Sequence, residues 1–162
     1  LSSQPTSEVS IGLSSSDTTE GPVSPTTLNF TPANWNQVQT VTVTGVDDAV
    51  AEGSHIGSIS HSVTSTDTDY NSLNVSGVTA TIADNDIAGF TVTPTSGLIT
   101  TEAGGTADFT VRLTSQPTAN VILGVSSNDA SEGTAAPATL TFTSGNWNQT
   151  QTVTVTGVDD AI

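Results

Sequence analysis

The chain has 162 residues, sixteen acidic side chains against one basic residue (Arg112), a net charge of −15 and no cysteine. That balance excludes the basic footprint of a nucleic-acid binder and disfavours an anionic membrane surface, so neither nucleic acid nor membrane is an expected partner. The missing thiols exclude disulfides and thiolate zinc sites, and no apolar run approaches the roughly 18 residues of a membrane-inserted helix.

Ser and Thr make up about a third of the residues and there is no Met, a composition of strands and turns rather than of helices. The first predicted strand covers 9–13, Val-Ser-Ile-Gly-Leu. A Pro-rich cluster at 22–25 reads as a turn, and Leu28-Asn29-Phe30 as the next strand. Residues 40–44, Thr-Val-Thr-Val-Thr, alternate with period two, one face apolar and one polar. Strands follow at 56–63 and 78–82, then at 90–93 and 107–113. Turn signals at Ser96-Gly97 and Gly104-Gly105 separate the last two. Residues 121–125, 140–142 and 152–156 complete the set, and many short strands in such spacing imply an all-β sandwich.

Residue n matches residue n+112 from Leu1 on Leu113 to Val50 on Ile162, without a gap. Of these 50 pairs, 32 are identical, and QTVTVTGVDDA occurs unchanged at 39–49 and 151–161. A 112-residue period exceeds the 20–50 residues of solenoid repeats and fits a whole β-sandwich of about 100 residues. A boundary is expected near Ile87. Residues 1–87 then form a module lacking its first strands, and 88–162 a second lacking its last. The abrupt start at Leu1, with no leader pattern, fits a window on a longer tandem array.

These residues resemble the Calx-β family. The resemblance rests on Thr101-Glu102-Ala-Gly-Gly-Thr106 and on Leu140-Thr-Phe142 before a turn. It rests also on Val41-Thr-Val-Thr-Gly-Val-Asp47-Asp48 with Glu52 after it, and on Ala80-Thr-Ile-Ala-Asp84-Asn85-Asp86. Read cyclically, the four motifs span the period in family order. The resemblance implies tandem Ig-like antiparallel β-sandwich modules that bind calcium in loops at one end, found in exchangers and in bacterial surface and adhesion proteins. It implies metal ligands at Asp47, Asp48, Glu52, Asp84, Asp86 and Glu102, and at Asp159 and Asp160 in the second copy. Two departures stand out. His55 occupies a place where such modules often carry a further carboxylate, and residues 129–137 lack the usual Asp-Tyr pair, leaving Asp129 or Glu132 as substitutes.

Calcium takes about 6–8 oxygen ligands in flexible loops, and adjacent aspartates repel until a cation joins them. An ion at Asp84 and Asp86 would stiffen the joint between modules. Against this stands the plain reading that Asp sits in turns for local hydrogen bonding. Asp67-Thr-Asp69-Tyr-Asn71 has the opening spacing of an EF-hand loop without its glycine and closing glutamate. Asn74-Val-Ser76 and Asn148-Gln-Thr150 match glycan acceptor sequons. The expected function is a non-enzymatic stalk, adhesin or fibre segment outside the cell. Its partners are neighbouring copies of the module or other chains joined by strand addition. The alternative is a carbohydrate-binding accessory module using Trp35 and Trp147, whose plainer role is to plug the open end of a core.

Overall fold

The computed structural model describes residues 1–159. They form strands and no helix, so none is long and apolar enough to cross a membrane, and every strand pairing is antiparallel. The fold is all-β. The chain divides into two compact units: residues 1–48 with 53–84, and residues 49–52 with 85 onward.

The first unit contains β1 (Val9–Ser15), β2 (Val23–Ser24), β3 (Thr27–Phe30), β4 (Thr42–Val43), β5 (His55–Ser65) and β6 (Val78–Ile82). Four of them form a sheet in the order β3-β1-β5-β6, and β2 pairs with β4 alone. Alternation explains β5. Ile59 and Val63 point inward and are buried, while Ser58, Ser60, Ser62 and Thr64 are exposed. The core of this unit gathers Val9, Phe30, Val63 and Tyr70, with Leu1, Ile11 and Leu28 against them.

The second unit contains β7 (Phe90–Thr93), β8 (Thr106–Leu113), β9 (Val121–Gly124), β10 (Gly133–Ala136), β11 (Thr139–Phe142) and β12 (Gln151–Gly157). Its four-stranded sheet runs β10-β12-β8-β7, and β9 pairs with β11. Val111 and Leu113 of β8 and Val153 of β12 share one core with Leu140 and Phe142 of β11, and Val121 and Leu123 of β9 pack on it. Two sheets thus meet face to face, which is a sandwich.

The 112-residue offset relates these elements. It carries β1 and β3 onto β9 and β11, and β2 and β4 onto β10 and β12. Registers agree: Val23↔Val43 and Ser24↔Thr42 become Ala135↔Val155 and Ala136↔Thr154. Each unit therefore displays one complete sheet of the sandwich and two strands of the other. The complete sheet of the first unit is the one of which the second shows two strands, and the reverse.

Three local expectations change. The strand expected at 40–44 shrinks to Thr42–Val43, whereas the identical letters at 152–156 lie inside a seven-residue β12. β12 lies between β8 and β10, while β4 has only β2 beside it. A lone two-stranded pairing has too few neighbours to hold a long ladder. The cluster at 22–25 carries β2 before its cis Ser24-Pro25 bond, and residues 129–137 carry β10 before the matching cis Ala136-Pro137 bond. Flanking prolines at 22 and 25 hid β2, and small residues hid β10, since Gly-Thr-Ala-Ala shows no hydrophobic period.

Candidate functional site

The acidic loops begin with short motifs that organise themselves. After β1, the Ser15 hydroxyl donates to the Asp17 carbonyl and accepts from the Asp17 N–H, at 2.7 and 3.1 Å. Asp17 Oδ1 then accepts from the Glu20 N–H at 2.9 Å and from the Thr19 hydroxyl and N–H. These donors, the Glu20 amide first and the Thr19 hydroxyl next, hold the Asp17 carboxyl below the usual carboxylate range. The second unit repeats the motif with Ser127, Asp129 and Ser131, and the Ser131 hydroxyl lowers the Asp129 carboxyl in turn. Asp17 and Asp129 are turn-forming aspartates.

His55 opens β5, and its Nε2 lies 3.0 Å from Asp17 Oδ2. Where the family resemblance implies a carboxylate, this chain thus places an imidazole that engages a carboxylate of the first loop.

The residues singled out as ligands lie as follows. Asp47 and Asp48 follow β4 and are exposed; Asp84 follows β6, is half-buried, and accepts from the Gly53 N–H at 2.6 Å. These three belong to the first unit, while Glu52 and Asp86 belong to the second. Glu102 is exposed between β7 and β8, and Asp159 is exposed after β12. Asp160 lies outside the described residues. Among those described, no three His, Cys, Asp or Glu side chains gather into a group that could hold a metal ion. The donors are of the right kind for calcium, all carboxylate oxygens on loops, but their arrangement does not fit a preformed cage.

A second constellation draws on the segment read as a partial EF-hand loop. Asp67 is only 7 % exposed. Its Oδ2 accepts from the Thr6 N–H at 2.7 Å and the Thr6 hydroxyl at 2.9 Å, and its Oδ1 accepts from the Asp69 N–H at 3.0 Å. The Thr6 amide, then the Thr6 hydroxyl, lower the Asp67 carboxyl. Tyr70 is buried, and its hydroxyl donates to the Ser3 carbonyl at 2.6 Å and accepts from the Ser3 N–H at 3.2 Å. Asp67 and Tyr70 therefore clamp the segment Leu1-Ser-Ser-Gln-Pro-Thr6 onto the core. Sequence reading missed this role. The signal available was the repetition of Leu-x-Ser-Gln-Pro-Thr at 113–118, which marks the segment as structurally constrained.

In the second unit that same segment borders an open cleft of about 390 Å³ lined by Phe90, Leu113, Ser115, Pro117, Thr118 and Val121 among others. Trp147 is half-buried and packs against the core of this unit, and its carbonyl accepts from the Leu113 N–H at 2.9 Å. In the first unit the Trp35 carbonyl accepts from the Leu1 amino group at the same distance. Trp147 thus packs on the core of its unit while part of it stays exposed.

No family model matches the chain, and no curated protein matches it. Among solved structures, the crystal structure of CBD12 from CALX1.2 is similar at 16 % identity and a TM-score of 0.36, over 96 % of this chain and 64 % of that one. This chain thus spans less than two thirds of that structure's length. A likeness of that size assigns no family, and the fold rests on the chain's own strands and core.

Proposed function

We propose that the chain is a non-enzymatic segment of a tandem array of β-sandwich units, acting outside the cell or at its surface as a stalk, adhesin or fibre component. The observation that carries this reading is the 112-residue repeat, whose two copies fold into related strands in the same register. Repetition of a whole domain builds length, and length is what a stalk or fibre requires. The charge of −15 keeps such a surface solvated and discourages collapse of neighbouring chains.

Calcium is the proposed cation. The resemblance to Calx-β modules and the carboxylates at Asp47, Asp48, Glu52, Asp84, Asp86, Glu102 and Asp159 support it. Extracellular calcium modules bind at about 10⁻⁴–10⁻³ M, and that is the range expected here. Binding to the folded state would raise stability with the logarithm of calcium concentration. Calorimetric titration of calcium into the chain, with a parallel thermal melt, tests this. Heat release and a rise in Tm at millimolar calcium are expected, with magnesium giving less. Flat calorimetry and an unchanged Tm would remove calcium from the account and leave the array.

A further inference from the structure

Among the described residues β3 pairs only with β1, and its counterpart β11 only with β9. The Leu13 N–H donates to the Thr26 carbonyl, and the Val125 N–H to the Ala138 carbonyl. Alternate residues turn their backbone groups to opposite edges. Thr26, Leu28 and Phe30 therefore face β1, while Thr27, Asn29 and Thr31 face away from it. Thr139, Thr141 and Thr143 face away from β9 in the same manner. A row of free N–H and C=O groups on such an edge is a template for a strand of another molecule, and proteins often block it with charged side chains. That means is absent here: residues 21–46 and 133–158 contain no charged side chain.

Side-chain amides take up these groups instead. Asn34 Oδ1 accepts from the Thr31 N–H at 2.5 Å and from the Thr31 hydroxyl at 3.0 Å, and its Nδ2 donates to the Asn29 carbonyl at 3.4 Å. Gln39 Nε2 donates to that same carbonyl at 2.8 Å. The second copy repeats the arrangement. Asn146 Oδ1 accepts from the Thr143 N–H at 2.6 Å, its Nδ2 donates to the Thr141 carbonyl at 3.3 Å, and Gln151 Nε2 reaches that carbonyl at 2.8 Å. Accepting from one N–H and donating to the carbonyl two residues back is what a parallel neighbouring strand does. The asparagine carboxamide thus stands in for one residue of such a strand. Its loop is anchored in turn: Gln4 Nε2 donates to the Pro32 carbonyl at 2.8 Å, and Gln116 Nε2 to the Ser144 carbonyl at 3.2 Å. Between 27–39 and 139–151 the two copies differ only at Asn29/Thr141, Pro32/Ser144, Ala33/Gly145 and Val38/Thr150. None of these contributes a side chain to the arrangement.

We propose that Asn34 with Gln39, and Asn146 with Gln151, form an edge guard that keeps a second copy of this chain from adding its own β3 or β11 to the strand. The excluded occupant follows from the edge itself. Thr-Leu-Asn-Phe-Thr and Thr-Leu-Thr-Phe-Thr turn Leu and Phe to the core and carry no charge, so two such edges meet without repulsion and can pair antiparallel about a two-fold axis. Every unit of a tandem array would carry this edge, and unguarded edges would join neighbouring chains side by side. The guard leaves each unit to meet others through different surfaces.

Light-scattering mass across a concentration series, with circular dichroism to follow the strands, tests the guard. Asn34→Ala, Gln39→Ala, Asn146→Ala and Gln151→Ala combined should self-associate at a concentration about tenfold below that of the parent chain. Adding Asn29→Pro and Thr141→Pro should return association to the parental level. Each proline removes an N–H from the free edge and leaves the bonds to β1 and β9 in place. Gln39→Met with Gln151→Met removes one donor from each edge at similar volume and should shift association in the same direction by less. A folded alanine variant that associates no more than the parent would overturn the proposal. So would association that the two prolines leave unchanged, because it would run through another surface. If the alanine variant loses its strand signal, the methionine pair decides: parental association overturns the guard, and increased association supports it. All these readings are made without calcium, so they stand or fall separately from the proposed cation.

Discussion

Gln39–Ala49 and Gln151–Ala161 share every letter, yet their strands differ. In the second unit the letters make β12, seven residues long, with Val153 fully buried. In the first they make only the two-residue β4, and Val41, the counterpart of Val153, is half-exposed. Intrinsic preference cannot produce the difference, because it is identical in both. The neighbours produce it. β12 pairs with β8 over Gln151↔Val111 to Thr156↔Thr106, and no strand stands in that place beside β4 among the described residues. Strand propensity thus expresses fit to a pleated, half-covered surface more than a property of the letters.

Matched substitutions sharpen this comparison. Val153→Ala should cost about 2–3 kcal/mol through lost transfer energy and the cavity left behind, whereas Val41→Ala should cost less than about 1 kcal/mol. Each unit has one tryptophan, Trp35 or Trp147, so denaturant melts in single-tryptophan backgrounds report the units separately. Equal losses would break the comparison. The shared glycine offers a second pair. A Cβ on Gly157 would run into the backbone of Thr101, while one on Gly45 meets nothing within 4 Å. Gly157→Ala should therefore destabilise by about 1–3 kcal/mol through overpacking, and Gly45→Ala should stay within about 0.5 kcal/mol, read from the same melts.

Tyr70→Phe removes the hydroxyl that bonds Ser3 and should destabilise the first unit by about 1 kcal/mol, with no change in the Trp147 transition. The smallest effect concerns pH. The Asp67 carboxyl is held below its ordinary value of 3.8 by the Thr6 amide and hydroxyl. A depressed carboxyl stabilises the fold at pH above that ordinary value, and the contribution is lost as pH falls through the lower folded value. Acid titration should therefore lower the Trp35 melt below about pH 4, and Thr6→Val should flatten that dependence. An unaltered acid profile in Thr6→Val would remove Asp67 from the account.

Much of the fold was legible because it is written in period two. The alternating Ile59 and Val63 of β5, and Val153 and Val155 of β12, announce an inward face. β10 was not legible, since Gly133–Ala136 has no apolar side chain large enough to show a period, and only its pairing with β12 makes it a strand. The acidic loops were legible as positions but not as a site. Sequence places Asp47 beside Asp48 and Asp84 near Asp86. Whether carboxylates converge depends on loop paths, and among the described residues they do not gather in threes. The clamp by Asp67 and Tyr70 was hidden because its partners, Thr6 and Ser3, lie 61 and 67 residues away.

Amide hydrogen exchange by NMR on the two identical segments tests the central claim most directly. Shared letters give interior amides the same intrinsic exchange chemistry, so any difference in rate reports structure alone. The account predicts strong protection across Gln151–Gly157 and protection confined to the few amides around Thr42–Val43 in the other copy. Equal protection along both segments would contradict it.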